Sequence, residues 1–414
     1  MVRRVSATDL LAPAAVRDPH TMYAALRDTG PVVWLPEHRA WFFSTYESVQ
    51  TGFRDPRLSS DRLTPLEARL AEPARALLGN TIELLRGWMV FHDGPAHERL
   101  RRPVRHAFTP RTVERLRPFV EATVDGCIDR IEAMLHDGET VDLVDELAFP
   151  LPAIVIAELL GIPASDRDEF RTWSNQLAAI VFGSSSAPGN AARAAAGAAR
   201  FADYFTALLA ERAEHPGDDL VSALIAAQPE ADPPLTASEL VGACTLLLFG
   251  GHETTTNLIA TGATTLLTHP DAWRWLRRHP DAVVVAGEEL HRFDGPTKVM
   301  VRVVAEDHER DGVALRRGET VLLGVASANR DPQAFDRAGD LVLDRPDAHR
   351  HLGYGHGIHA CLGAALARLE SQVTLDRFAR RLGGLTLAVE PDALPWGTTL
   401  LGRGLASLPV AWAG

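Results

Sequence analysis

His351-Leu-Gly-Tyr-Gly-His-Gly-Ile-His-Ala-Cys-Leu-Gly363 is the stretch on which the reading of this chain turns. Gly353, Gly355 and Gly357 alternate with other residues ahead of Cys361, and Gly363 follows it. Glycines at this density mean a backbone that turns tightly or lies against something flat and large. The helix formers Ala364-Ala-Leu-Ala367 begin directly afterwards. Cys361 is therefore presented at the mouth of a helix, where backbone N–H groups favour a negative charge. A thiolate metal ligand needs that setting. A lone cysteine is more commonly a buried structural residue, but the spacing around this one is too particular for that reading.

Bulk properties set the background. The chain has 414 residues, 46% of them hydrophobic and 23% charged, with helix formers abundant, which predicts a mostly helical fold. No apolar run approaches the length of a membrane span and the N-terminus lacks a signal-peptide core, so a cytoplasmic protein is expected. Cys127, Cys244 and Cys361 are too few and scattered for a disulfide framework, and no Cys-x-x-Cys or His-Glu-x-x-His motif suggests zinc. A net charge of −12 argues against nucleic acid as a partner. One segment opposes that balance: Arg99, Arg101, Arg102, Arg105, His106, Arg111, Arg115 and Arg117. It reads as a local docking site, or in part as a solvated helix face.

Along the chain, a short helix is expected over His20 to Asp28, followed by a hairpin of Pro31-Val-Val-Trp-Leu35 and Ala40-Trp-Phe-Phe-Ser44. Prolines 56, 65 and 73 predict short helices and loops as far as Arg86. Helices are expected over Ala96 to Arg105, Pro110 to His136, Ala153 to Leu160, Asp166 to Phe182, Ala191 to Ala213 and Pro280 to Phe293. The small-residue stretch Gly183 to Gly189 is a candidate lid or a plain surface connection. The longest helical signal runs from after Pro234 to His269 and is apolar all round, hence buried. Gly250, Gly251, Glu253 and Thr254 to Thr256 at its centre go against helix propensity, and such violations mark functional sites. Val299 to Ala305 and Thr320 to Leu323 read as strands flanking a polar turn. No repeat or linker divides the chain, so residues 1 to 414 are read as one domain, with β-rich parts at about 30–60 and 297–325.

Four motifs in order make the chain resemble the cytochrome P-450 superfamily of heme-thiolate monooxygenases, in its soluble bacterial form. The first is the heme-binding signature, here Tyr354-Gly-His-Gly-Ile-His-Ala-Cys-Leu-Gly363, with Tyr354 where Phe is usual and Gly353 where Ala or Ser is common. The second is the acid–alcohol element Gly250-Gly-His-Glu-Thr254 of the central helix. Glu289-Leu-His-Arg292 supplies the Glu-x-x-Arg pair, one helical turn apart. Ala328-Asn-Arg-Asp-Pro332 with Phe335 opens the meander before the cysteine loop, which departs from the family at Ala338, where proline is usual. The resemblance implies a mainly α fold with small β-sheets, a triangular helical prism holding heme b between the long central helix and the helix after the cysteine loop.

It also implies roles. Cys361 would be the axial iron ligand, with Tyr354 and Gly355 in the loop against the porphyrin. His97, Arg101, Arg302 and His359 match positions that bind the heme propionates. Thr254 and Glu253 match the residues that deliver protons to dioxygen activated at the heme. Thr256 is expected instead to bond back to a helix carbonyl. Gly250 and Gly251 would leave space and deform the helix. Glu289 and Arg292 form a buried structural pair, and His252 is structural. Trp88, Met89, Leu246, Phe249, Gly250, Lys298, Leu400 and Leu401 match pocket positions. Lys298 stands where an apolar residue or Gln is usual: either its stem packs while the amine reaches water or Asp294, or it meets an anionic substrate group.

The expected function is oxidation of a small organic molecule in bacterial specialised metabolism, with O2 and electrons from a ferredoxin and its reductase. The basic segment would serve that partner, and a monomer that binds neither nucleic acid nor membrane is expected. The same heme chemistry diverted to C–C or C–N coupling, desaturation or nitration is the alternative outcome. A heme-binding sensor is the non-enzyme alternative, disfavoured by the intact Glu253 and Thr254.

Overall fold

A computed structural model describes residues 9–181 and 189–413. The stretch read as a candidate lid lies, apart from Gly189, outside the described residues, and so does Phe182. Two compact units are distinguished, one of Met1–Asp55, Arg117–Pro152 and Glu253–Gly414, the other of Pro56–Leu116 and Ala153–His252.

The first unit is organised on the predicted hairpin. Val32–Leu35 pairs antiparallel with Ala40–Phe43, which runs parallel to Thr320–Leu323, and that strand pairs antiparallel with Met300–Val304. Alternation puts Val33, Leu35, Phe42 and Leu322 on one face, where they meet Leu10, Tyr23, Leu26, Val299 and Ala326. Tyr23 stacks on Phe42 with ring centroids 5.8 Å apart. Each such fully buried side chain contributes about 1.5–3 kcal/mol. The polar turn between the predicted strands contains a hairpin of its own, His308–Arg310 with Val313–Leu315. Asp311 (φ 49°) and Gly312 (φ 76°) both adopt the left-handed region that a two-residue hairpin turn demands.

A second sheet was not anticipated. It places the C-terminal strand Pro409–Trp412 between Val141–Asp142 and Leu385–Leu387, segments too short to carry a period. The cysteine-loop helix, Ala364–Arg381, is braced to Arg117–His136 by Arg377 on Asp125 (2.8 Å) and Arg381 on Asp129 and Glu132. The Glu-x-x-Arg helix, Val283–Asp294, follows a 3-10 turn at Pro280–Ala282, and Pro270–Arg278 is a further helix not foreseen.

In the second unit Pro56 lies in a turn, whereas Pro65 and Pro73 initiate helices rather than break them. Pro65 lies in the first turn of Leu63–Arg69 and Pro73 in the first turn of Glu72–Arg86, where the missing N–H would have had no partner anyway. Arg167–Val181 packs on Asn190–Glu214 through Phe170, Trp173, Phe201, Tyr204 and Phe205. Leu220–Ala227, capped by the Asp219 carboxylate accepting from the Ser222 N–H at 2.7 Å, is another helix missed from sequence. The central helix runs unbroken from Ala237 to Thr268, and the boundary between the units falls within it, after His252. Its approach to Gly87 requires glycine on both sides, since a Cβ on Gly242 would stand 2.6 Å from the Gly87 Cα. Among the described residues no helix is long and apolar enough to cross a membrane.

Candidate active site

The cysteine loop is built by two left-handed glycines, Gly355 (φ 69°) and Gly357 (φ 75°), that no other residue adopts cheaply. They curl the chain so that the Cys361 N–H donates to the Tyr354 carbonyl at 2.8 Å. Cys361 alone of the three cysteines is exposed; Cys127 and Cys244 are buried, and burial pushes the Cys244 thiol up to about 12. A Cβ on Gly363 would stand 3.9 Å from Sγ, an ordinary contact, so the sulfur is not crowded from that side. Arg368, just over one turn into the following helix, donates to the Glu288 carboxylate at 2.7 Å, and its guanidinium lies 4.4 Å over the Tyr354 ring. No group of three or more His, Cys, Asp or Glu side chains among the described residues could hold a metal by itself. One accessible thiolate in a glycine loop fits a metal whose other ligands come from a macrocycle.

The same unit holds Arg302, His359, Glu253, Thr254 and Lys298. Arg302 is buried, donates to the Val301 carbonyl at 2.9 Å and lies 5.7 Å from the Phe53 ring centroid. His359 closes the 3-10 turn Gly357–His359. Glu253 sits where burial pushes its carboxyl up to about 7, while Thr254 beside it is exposed. Thr256 differs from expectation. Its hydroxyl is buried with no partner among the described residues, whereas Thr245, Thr261, Thr264 and Thr268 bond back to carbonyls one turn earlier.

Lys298 is 3% exposed, so its amine does not reach water. It does not use Asp294 either, because that carboxylate is held by Arg403 at 2.7 Å and His20 at 3.2 Å. The amine donates to the Thr399 carbonyl, and the Lys298 N–H donates to the Leu401 carbonyl at 2.8 Å. Burial, with Arg403 adding to it, lowers the ammonium to about 8. Leu400 and Leu401 pack in part against the sheet core.

The second unit gathers the other predicted residues. His97 and Arg101 lie one turn apart on Gly94–Ala107, with His97 buried. Trp88 and Phe249 meet with centroids 5.3 Å apart, and Met89 is buried beside them in chain order. Leu246 and Gly250 follow at helical spacing on the central helix. The helix is assigned without a break through both glycines. Gly250 faces open space, while Gly251 is filled by Ile156, whose side chain would be 2.8 Å from an added Cβ. His252 is buried and its Nδ1 bonds the Leu248 carbonyl at 2.8 Å.

The basic segment is less available than its sequence suggests. Arg99 pairs with Glu239, Arg105 with Glu98, His106 with Glu230 and Arg115 with Asp218. Those acids are distant in sequence except Glu98, which is why composition alone left the arginines looking uncompensated.

Sequence reading missed Glu288, His291, His351 and Arg368, which surround the start of the cysteine loop. Glu288 accepts from Arg368 at 2.7 Å and faces His351 at 3.2 Å; those partners hold its carboxyl at about 2 against the opposing effect of burial. Two histidines sixty residues apart carry no local signal. Their proximity to the two motifs was the only clue.

The family model described as Cytochrome P450 matches residues 73–292 and 286–383. The chain is 40% identical over 405 residues to the vitamin D(3) 25-hydroxylase of Pseudonocardia autotrophica, covering 97% of this chain and 96% of that one. It is 39% identical to the cytochrome P450 monooxygenase PikC of Streptomyces venezuelae, over 95% of this chain and 91% of that protein. The crystal structure of CalO2 superposes with a TM-score of 0.89 at 32% identity, covering 99% of both chains. The described helices and small sheets are those of that fold, and relatives of this class are bacterial monooxygenases of secondary metabolism. The chain therefore belongs to the cytochrome P450 family, as a heme b-dependent monooxygenase.

Proposed function

We propose that this enzyme oxidises a small organic molecule bearing an anionic group, using electrons from a ferredoxin-type donor, and that it works as one domain. The two compact units interleave in sequence, so neither is a contiguous piece of chain, which supports the single-domain reading. The observation that carries the chemistry is Cys361, the one accessible thiol, turned outward by Gly355 and Gly357. Heme b, when bound, supplies dioxygen activation. His97, Arg101, Arg302 and His359 are the residues assigned to its propionates, with Arg302 and His97 already buried as cation and donor. Tyr354 and Gly355 shape the surface against it.

Glu253 and Thr254 move protons. A carboxyl that titrates at about 7 can give and regain a proton at working pH, which an ordinary glutamate cannot. The Thr254 hydroxyl both accepts and donates, and passes the proton on. Trp88, Met89, Leu246, Phe249, Gly250, Lys298, Leu400 and Leu401 are the residues assigned to the substrate.

Lys298 defines the substrate class. A buried ammonium is costly unless something answers it, and one carbonyl of Thr399 answers only part of its capacity for three hydrogen bonds. Lys298→Met is expected to weaken binding of a carboxylic acid about 10- to 100-fold, the worth of a charge-assisted hydrogen bond, and to spare its methyl ester. Optical titration of both ligands checks this; equal losses contradict it. Because the amine titrates at about 8, affinity for the acid should fall above that pH in the parent enzyme and not in the variant.

A further inference from the structure

Behind the cysteine loop lies a histidine with no role in the chemistry so far. His291, on the Glu-x-x-Arg helix, is 2% exposed, and neither ring nitrogen has a hydrogen-bond partner among the described residues. Its ring stands edge-on to Tyr354, centroids 4.4 Å apart at 85°, and lies 4.3 Å from His351. Two glycines make room for it. A Cβ on Gly353 would lie 2.3 Å from the His291 Nε2, and one on Gly295 would lie 2.3 Å from the His291 carbonyl oxygen and 2.5 Å from its Cδ2. Gly295 has φ −73°, and Gly353 is not among the left-handed glycines, so space rather than backbone conformation requires glycine at both.

Gly353 is held on a second side as well. Its N–H donates to His351 Nδ1 at 3.0 Å, which leaves that ring's proton on Nε2, 3.2 Å from Glu288. Arg368 bonds the same carboxylate and covers the Tyr354 ring. Residues 353 and 354 are thus fixed by His291 and His351 together, and it is the Tyr354 carbonyl that receives the Cys361 N–H. An imidazole buried without a partner costs about 1–3 kcal/mol, so packing alone does not favour histidine over an apolar side chain here.

We propose that His291 is a positioning residue for the thiolate: it fills the volume left by Gly353, sets Tyr354, and through that carbonyl fixes how Cys361 presents its sulfur. The proposal rests on Cys361 being the iron ligand. Outer contacts of this kind tune a bound metal's potential as well as its geometry.

The test compares full-length heme-loaded protein with Gly353→Ala, His291→Ala and the combination, by carbon monoxide difference spectra and by reduction potential. Each single change should lose several-fold of the long-wavelength thiolate band and move the potential, because one forces the ring out and the other removes it. Combining them relieves the clash and should restore part of the band over Gly353→Ala alone. A Gly353→Ala protein with the parental band and potential overturns the proposal. So does a combined variant no better than Gly353→Ala, whether or not either takes up heme. His291→Ala that melts earlier with band and potential unchanged would make His291 a packing residue only. If the parent protein itself lacks the thiolate band, the assignment of Cys361 fails instead.

Discussion

Arg292→Ala is expected to leave little or no folded, heme-loaded protein. Arg292 is 1% exposed and spends its whole guanidinium internally. Nε and Nη2 donate to the Glu289 carboxylate at 2.6 and 2.8 Å; Nη1 donates to the carbonyls of Asn329 and Ala338 at 2.8 and 2.9 Å; Nη2 also reaches the Asp340 carbonyl at 3.0 Å. The pair thereby pins the meander that precedes the cysteine loop to the Glu-x-x-Arg helix. Glu289 keeps Arg345 at 3.0 Å and the Val342 N–H at 2.9 Å after the change, so the carboxylate is not wholly stranded. The buried carbonyls of Asn329 and Ala338 still lose this donor, whereas the carbonyl of the exposed Asp340 keeps Arg345 at 3.3 Å. Breaking a buried pair costs about 3–5 kcal/mol, against a total stability of about 5–15 kcal/mol. Thermal melting and heme content measure the outcome. Arg292→Lys should recover only part of it, since an ammonium cannot span a carboxylate and three carbonyls at once. An alanine variant within about 1 kcal/mol of the parent would contradict the account.

Glu253→Gln is expected to lower product formation by about 10²-fold or more, the scale of a lost proton-transfer group, with electron uptake reduced far less. The pH dependence separates this from a packing defect. Burial raises the Glu253 carboxyl from 4.5 to about 7, so the parent should lose rate as pH rises through about 7 and the acid gives up its proton. Glutamine cannot ionise, and the variant's residual rate should lack that limb. Stability follows the same sign. The folded protein keeps this proton up to about pH 7 while the unfolded chain releases it near 4.5, so the carboxyl's contribution falls across that window and stays low above it. Glu253→Gln should remove the fall. A variant with the parent's pH profile would show that another group supplies the protons.

Much of this was legible because glycines, prolines and long periodic runs act locally. The central helix was placed to within a few residues, and the hairpin of Val32–Leu35 with Ala40–Phe43 was read from alternation alone. Short helices were expected as far as Arg86 and Leu63–Arg69 is one, but Pro73 misled, because sequence does not show whether a proline breaks a helix or sits at the first turn of a long one such as Glu72–Arg86. The sheet of Val141–Asp142, Leu385–Leu387 and Pro409–Trp412 was invisible for the opposite reason: strands of two to four residues are defined by their partners. At the site, motif residues were found by spacing, but their supports were not. Lys298 illustrates the limit, since its partner is a backbone carbonyl 101 residues away rather than the nearby Asp294. Arg115 is another, compensated by an aspartate 103 residues later.

All of the chemistry depends on Cys361 being the thiolate ligand of a bound heme. The reduced protein under carbon monoxide tests it most directly. The long-wavelength Soret band of thiolate ligation is expected, and it should be lost when Cys361 is replaced by alanine. A band of the histidine-ligated type in the parent protein, or a thiolate band that survives Cys361→Ala, would contradict it.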